Sequence, residues 1–448
     1  MPLPHIQVHP SGRTLMTEAG TPFFWLGDTA WELFHRLMLG EAEHYLSRRA
    51  AQGFTLIQAV ALAEFDGLRA PNANGDLALV NDDPSRPNEP YFAHVDAIVR
   101  LAAAHGLYIG LLPTWGDKVT TQRGAGQAVF TPASARQYGE WLGRRYAGDS
   151  NIIWILGGDR LPVHADGDDR PTWRAMAEGI VAGLGRRPLM TYHIAGGMVS
   201  TSRDLHAESW LDIHTMQSGH GSGHDTPVWE AVAHDYALEP ARPVIDLEPN
   251  YEDHPVDPWP TWDPARGYFR EDDVRRQIYR AVFAGACGST YGHHAVWQFC
   301  GPRLAPINYA DRYWHEAVER PAASQLIHLR RLIESRPFFA RVPDQSVIAG
   351  EVGAGAAHMR ACRAGDGSYA MVYVPSAAHE LEVDLARLAG AQVRAWWYDT
   401  HTGAAYDAGI WPGGERRRVA SPLAWHDWVL ALDDAAAGFG PPGDWHMS

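Results

Sequence analysis

Two acidic residues that end apolar runs are the first candidates for chemistry in this chain. In 151–160, NIIWILGGDR, apolar residues at 152–156 are followed by two glycines and then Asp159. In 243–252, PVIDLEPNYE, an apolar lead-in ends in Glu248. A continuous apolar run rich in β-branched residues is what a strand buried on both faces requires. Two such strands, each bringing a carboxyl to the same end of a parallel sheet, supply what acid/base work on a glycosidic acetal needs. Glu248 is then the nucleophile and Asp159 the general acid/base. Each stage needs one group ionised and the other protonated, and repulsion between them in a half-buried cleft separates their pKa values in that sense. Carboxyls about 5–5.5 Å apart give retention of the anomeric configuration, and about 6.5–9.5 Å gives inversion through a water.

Positioning that pair takes a closed parallel sheet. Apolar strand candidates fall at 22–31, 54–62, 107–113, 152–156, 188–193, 211–217, 243–248 and 288–299. Helical spacing separates them, over 40–52, 91–105, a helix opened by Thr131-Pro132, 171–184, 226–236, 271–286 and 314–335. Thr131 is an N-cap followed by proline at the first helical position. Strands and helices alternating in this way, with polar residues gathered at the strands' C-terminal ends, predict a (β/α)8 TIM barrel over 1–337, preceded by a short hairpin within 5–25. An open doubly wound sheet would carry a phosphate-binding glycine fingerprint after its first strand, and GDTAW does not match one. Asp246, two residues before Glu248, is expected to share its direction and sit deeper in the barrel as support. Beyond Pro337 short alternating segments separated by turns such as Gly365-Asp366-Gly367 predict a small antiparallel β-sandwich over 338–436, with a tail at 437–448.

Further residues at the strand ends suit a polyhydroxyl ligand. Asp28, Glu64 and Asp66 are expected to hydrogen-bond sugar hydroxyls. Trp115, Tyr251 and Trp297 offer flat faces for stacking. His193, Gln217, His220, His293 and His294 offer neutral hydrogen-bonding groups. The histidines also raise a second reading, a metal-dependent TIM-barrel hydrolase. That class places a His-x-His pair on the first strand, which here offers only Asp28, and the His220/His224 pair lies among Gly219, Gly221 and Gly223. A third reading is a carbohydrate-binding barrel without turnover. The reading carried forward expects no metal and no cofactor.

Composition narrows the partners. A formal net charge of −15 disfavours nucleic acid and anionic membrane surfaces, both of which call for a basic face. Cys287, Cys300 and Cys362 lack metal-type spacing and imply no disulfide framework, as in a reducing compartment. The first residues, MPLPHIQVHPSGRT, show no basic stretch followed by an apolar one, and no membrane span follows. The expectation is therefore a cytoplasmic protein whose partner is an oligosaccharide or small glycoside.

The segments FFWLGDTAWELFHRL, GFTLIQAVALAEFDGLR, YIGLLPTWGDKV, NIIWILGGDR, MQSGH, LEPNYEDHP and AVWQF together resemble the apiosidase-like glycoside hydrolases, family 140. HLRRLIESRPFF and VPDQSVI continue the likeness into the small β-sandwich appended to that family, often labelled collagen-binding. The resemblance implies a TIM barrel, hydrolysis of glycosidic bonds and, from the family's best characterised activity, release of the branched pentose apiose from pectin side chains. Carried over by position, the family's acid/base aspartate falls on Asp159 in GGDR and its nucleophilic glutamate on Glu248 in LEPNYE. Without a leader the chain is expected to act on imported oligosaccharides, and its sandwich to serve as a structural partner of the barrel.

Overall fold

The computed structural model describes residues 2–120, 127–376, 379–423 and 425–444. The apolar runs become strands, each shorter than the run that carries it: β1 Trp25–Thr29, β2 Leu56–Val60, β3 Tyr108–Leu112, β4 Ile152–Gly157, β5 Met190–His193, β6 His214–Met216, β7 Val244–Asp246 and β8 Gly288–Tyr291. They form one parallel sheet in the order β5-β4-β3-β2-β1-β8-β7-β6. The seam between β5 and β6 is closed by other bonds. Asp212 N–H donates to Met190 O at 2.8 Å, and Thr191 Oγ1 donates to Ile213 O at 2.8 Å. The sheet is thus a (β/α)8 barrel.

Around it run α1 Leu39–Ala51, α2 Glu89–Ala104, α3 Pro132–Arg145, α4 Arg170–Leu184, α5 Val228–Tyr236, α6 Glu271–Phe283 and α7 Pro321–Glu334. Two expected elements are divided. The eighth strand ends at Tyr291, and His294–Trp297 form a separate helical turn. The helix expected over 314–335 is a turn at Trp314–Ala317 followed by α7, because Pro321 lacks the N–H that would carry a helix through.

Side-chain parity explains why the strands read as solid apolar runs. In β4, Ile153 and Ile155 point into the barrel, while Ile152, Trp154 and Leu156 pack outward against the helices. The N-terminal segments Ile6–Val8, Leu15–Thr17 and Pro22–Phe23 form a small antiparallel sheet. Its Ile6, Leu15 and Phe23 join Trp25, Leu56, Tyr108 and Leu189 and close the end of the barrel opposite the strands' C-termini. Helices α3 and α4 lie backbone to backbone. A Cβ on Gly179 would sit 2.2 Å from Arg136 O, and one on Gly139 2.4 Å from Met176 O.

The second domain carries β9 Arg341–Pro343, β10 Arg360–Ala364, β11 Tyr369–Val374, β12 Glu380–Asp384, β13 Gln392–Asp399, β14 Ala405–Pro412, β15 Arg416–Ala420 and β16 Trp428–Asp434. One antiparallel sheet runs β9-β10-β11-β16-β13-β14, and β12 pairs with β15. Buried ion pairs fasten this domain to the barrel helices: Arg275 to Asp427 at 2.7 Å and Arg336 to Asp433 at 2.8 Å. Of the tail, residues 437–444 turn back onto the protein, where Gly443 N–H donates to Ser335 Oγ at 3.1 Å; 445–448 lie outside the described residues. Among the described residues no helix is long and apolar enough to cross a membrane.

Candidate active site

The end of β4 is built to throw one side chain into the barrel mouth. Gly157, Gly158 and Asp159 all have positive φ, at 87°, 120° and 52°. Glycine is required at the first two positions. A Cβ on Gly157 would meet His193 O at 2.3 Å, and one on Gly158 would meet Gly116 N at 2.7 Å. Asp159 holds a left-handed conformation that only a few non-glycine residues tolerate, the kind of local strain that gathers at functional sites. Its Oδ1 accepts from Gly196 N–H at 3.3 Å, and its Oδ2 lies 3.4 Å from Arg160 Nη1.

Glu248 enters the same mouth from beyond the end of β7. Gln217 Nε2 donates to its Oε1 at 2.7 Å, and His220 Nε2 lies 3.1 Å from that oxygen. His193 Nε2 lies 3.0 Å from Oε2. The His193 ring links the two acids, because its Nδ1 accepts the Asp159 backbone N–H at 3.3 Å. With Nδ1 accepting, the ring proton resides on Nε2, the atom that faces Glu248. Burial alone would push the Glu248 carboxyl up. Hydrogen bonding from His193 and His220 outweighs it and holds the carboxyl down at about 2. Glu248 is therefore an ionised carboxylate in a largely water-free wall.

Asp159 and Glu248 line one cavity of about 690 Å³. Trp31, Trp115, Tyr251 and Trp297 give it aromatic walls, all of them buried. Glu64 lines it too, and burial together with the negative charges of Glu32, Asp159, Asp117 and Glu248 raises its pKa well above the usual carboxyl range. His254 stacks on His220 at 4.1 Å, and Trp259, half exposed, stands at the rim.

Of the residues read from the sequence, the cavity gathers Glu64, Trp115, Asp159, Gln217, His220, Glu248, Tyr251 and Trp297, with His193 directly behind Glu248. Four are placed elsewhere. Asp28 follows β1's parity to the outer face, where it is fully buried and paired with Arg49 Nε at 2.5 Å. Asp66 is exposed beside Arg69 in a separate surface depression. His293 faces Asp253 at 3.1 Å and accepts Ala295 N–H at the start of the helical turn. His294 contacts Asn308 O at 2.7 Å and accepts from Trp297 Nε1 at 3.3 Å, so it supports the wall from behind. The last two are displaced because β8 stops at Tyr291 and strand parity ends with it. Asp246 also differs from expectation. Ile245 and Leu247 point into the barrel, so Asp246 points out, where its carboxylate accepts from the Ser218 hydroxyl and its Oδ1 accepts the Glu248 N–H at 3.3 Å.

Sequence reasoning missed Trp31, Asp117, Arg160, His254, Trp259 and Asn308 as cavity residues. Their only signal was a place in loops that follow strand ends, and such loops hold many residues that face solvent. Among the described residues no group of three or more His, Cys, Asp or Glu is arranged to hold a metal ion.

Comparison with known proteins finds relatives of both domains. Residues 9–340 match the model of an apiosidase-like catalytic domain, and 342–433 match that of a collagen-binding-like domain of a collagenase. A solved structure described as a glycoside hydrolase is 34% identical, with 97% of each chain covered and a TM-score of 0.86. A glycoside hydrolase family 5 protein of Bacteroides vulgatus is 32% identical, with 98% of this chain and 95% of that one covered and a TM-score of 0.88. Comparison with curated proteins gives no match.

Proposed function

Because this chain belongs to the apiosidase-like glycoside hydrolases, we propose that it releases a terminal sugar, apiose or another pentose, from plant-derived oligosaccharides by a retaining double displacement. In the first step Asp159 gives its proton to the glycosidic oxygen while a Glu248 oxygen attacks the anomeric carbon. The C–O bond to the leaving group breaks and a glycosyl ester of Glu248 forms. In the second step Asp159, now a carboxylate, takes a proton from water, whose oxygen attacks the same carbon and frees Glu248. The aromatic walls offer stacking for the ring, and Gln217, His220 and Glu64 offer hydrogen bonds to its hydroxyls.

The observation that carries this reading is the place of Glu248, in one cavity with Asp159 and facing Gln217, His220 and His193. It is held ionised by converging donors in a cavity that a second carboxyl, Asp159, also lines. A nucleophile needs that state before substrate arrives. The test is a panel of nitrophenyl glycosides, apioside and arabinoside included, with the product anomer followed by NMR. The expected result is a pentoside turned over with retention, and a loss of about 10⁴-fold or more in kcat for Glu248→Ala. Full activity in Glu248→Ala refutes the assignment.

A further inference from the structure

Gln58 is a polar side chain inside the apolar barrel. On β2 it shares the inward face with Leu56 and Val60, and it is fully buried. Room for it comes from the neighbouring strand. Gly110 on β3 also faces inward, and a Cβ there would stand 2.8 Å from Ile155 Cδ1 and 3.5 Å from Gln58 Cγ. The Gln58 side chain reaches across the barrel, and its Nε2 donates to Leu247 O at 3.0 Å and, with a longer bond, to Thr29 Oγ1 at 3.4 Å. Its Oε1 has no hydrogen-bond partner among the described residues. An orphaned buried amide oxygen is destabilising, so this residue is a poor choice for stability alone.

What it touches is the peptide just before the nucleophile. The β7 ladder ends at Asp246, and beyond it Leu247 and Glu248 depend on individual bonds. Leu247 N–H donates to Met216 O at 3.0 Å, Glu248 N–H to Asp246 Oδ1 at 3.3 Å, and Gly219 N–H to Glu248 O at 2.9 Å. The Leu247 carbonyl has its bond from Gln58, from the opposite wall. Strand parity would turn Glu248 outward with Asp246; this off-ladder turn directs it into the mouth instead.

We propose that Gln58 is a positioning residue for Glu248, whose amide fixes the Leu247 carbonyl and so the turn that aims the nucleophile at the anomeric carbon. The inference rests on the reading of Glu248 given above. Gln58 touches the backbone beneath the site and lies outside the cavity lining, so its loss falls on the chemical step and spares binding. Misplacement of a reacting group by about 1 Å costs on the order of 10²-fold.

The test compares Gln58→Met, Gln58→Asn and Gln58→Glu on the pentoside that the wild type hydrolyses. Met keeps length and loses the donor. Asn keeps the amide and loses one methylene of reach. Glu, buried and therefore neutral, keeps reach and an O–H donor. The expected result is a fall in kcat of about 10–100-fold for Met and Asn with KM within about twofold, and recovery of most of that loss in Glu. Wild-type kcat in Asn overturns the inference, as does a KM increase without a kcat change, or a Glu variant no better than Met. If Met fails to fold, the Asn and Glu pair decides by the same criteria. Failure of the underlying reading shows separately, as full activity in Glu248→Ala whatever the Gln58 variants do.

Discussion

Replacing Gln217 with Leu tests the electrostatics of the site at its shortest hydrogen bond to Glu248. The amide donates to Glu248 Oε1 at 2.7 Å, and without it that oxygen keeps only His220 at 3.1 Å. A hydrogen bond to a charged group is worth about 1.5–3 kcal/mol, which at about 1.4 kcal/mol per pKa unit is about 1–2 units. The Glu248 carboxyl, held at about 2 in the intact site chiefly by His193 and His220, should then titrate somewhat higher. Near neutral pH it stays ionised either way. The plateau of kcat/KM should therefore fall modestly, by about tenfold from lost orientation, while the acid limb moves up by about 1–2 units. Initial rates on an aryl pentoside from about pH 3 to 8 read both quantities at once. An acid limb that stays in place while KM rises refutes the reasoning, because Gln217 would then serve the sugar and leave Glu248's charge to the histidines.

Asp159→Ala should lose about 10²–10⁴-fold on alkyl glycosides and much less on aryl glycosides with good leaving groups, because protonation matters most where the departing oxygen is basic; loss of equal size across leaving groups argues against the acid role. Gly179→Ala in α4 gains about 1 kcal/mol of helix propensity, yet places a Cβ 2.2 Å from Arg136 O. Overpacking at about 1–3 kcal/mol against rigid backbone should win and lower the thermal midpoint, and a raised midpoint contradicts the close contact. Burial raises Asp246 and Glu252 each to about 7 in the folded state. Both are protonated there while ionised in the unfolded chain, so their stabilisation is complete below the unfolded carboxyl pKa and is lost as pH rises through about 7, each by up to about 1.4 kcal/mol per pH unit. Glu248 and Asp253, each lowered to about 2, act oppositely, and their contribution is lost as pH falls through about 2. Thermal melts should therefore weaken from pH ~5 to ~8, and Asp246→Asn should flatten that slope; an unchanged slope refutes the buried proton on Asp246.

The barrel was legible because burial on both faces leaves a signal in every strand. NIIWILGG is apolar without interruption since Ile153 and Ile155 fill the interior while Trp154 and Leu156 meet helices, and a parallel sheet covered on both faces asks that of many strands at once. Asp159 and Glu248 were legible for a related reason: each interrupts or ends such a run next to a residue that turns the chain. Family resemblance named the same two. What sequence alone left undecided is parity near the strand ends. Asp28 was expected to meet sugar hydroxyls and Asp246 to share Glu248's direction, yet both point outward, to Arg49 and Ser218, because a side chain's face depends on where pairing begins and stops. His293 and His294 fell outside the cavity because β8 ends two residues before them. Trp31, His254, Trp259 and Asn308 come from loops whose course is set by packing across the mouth. The sequence by itself thus determined the architecture and pointed to two acids that line one cavity at its mouth, because burial and turning are local demands on residue type. Only the tertiary structure decided which neighbours stand around that pair, because the meeting of Gln217, His220 and His193 around one carboxylate, or of Gln58 on Leu247 from 189 positions away, is a relation between walls of the barrel that no stretch of chain contains.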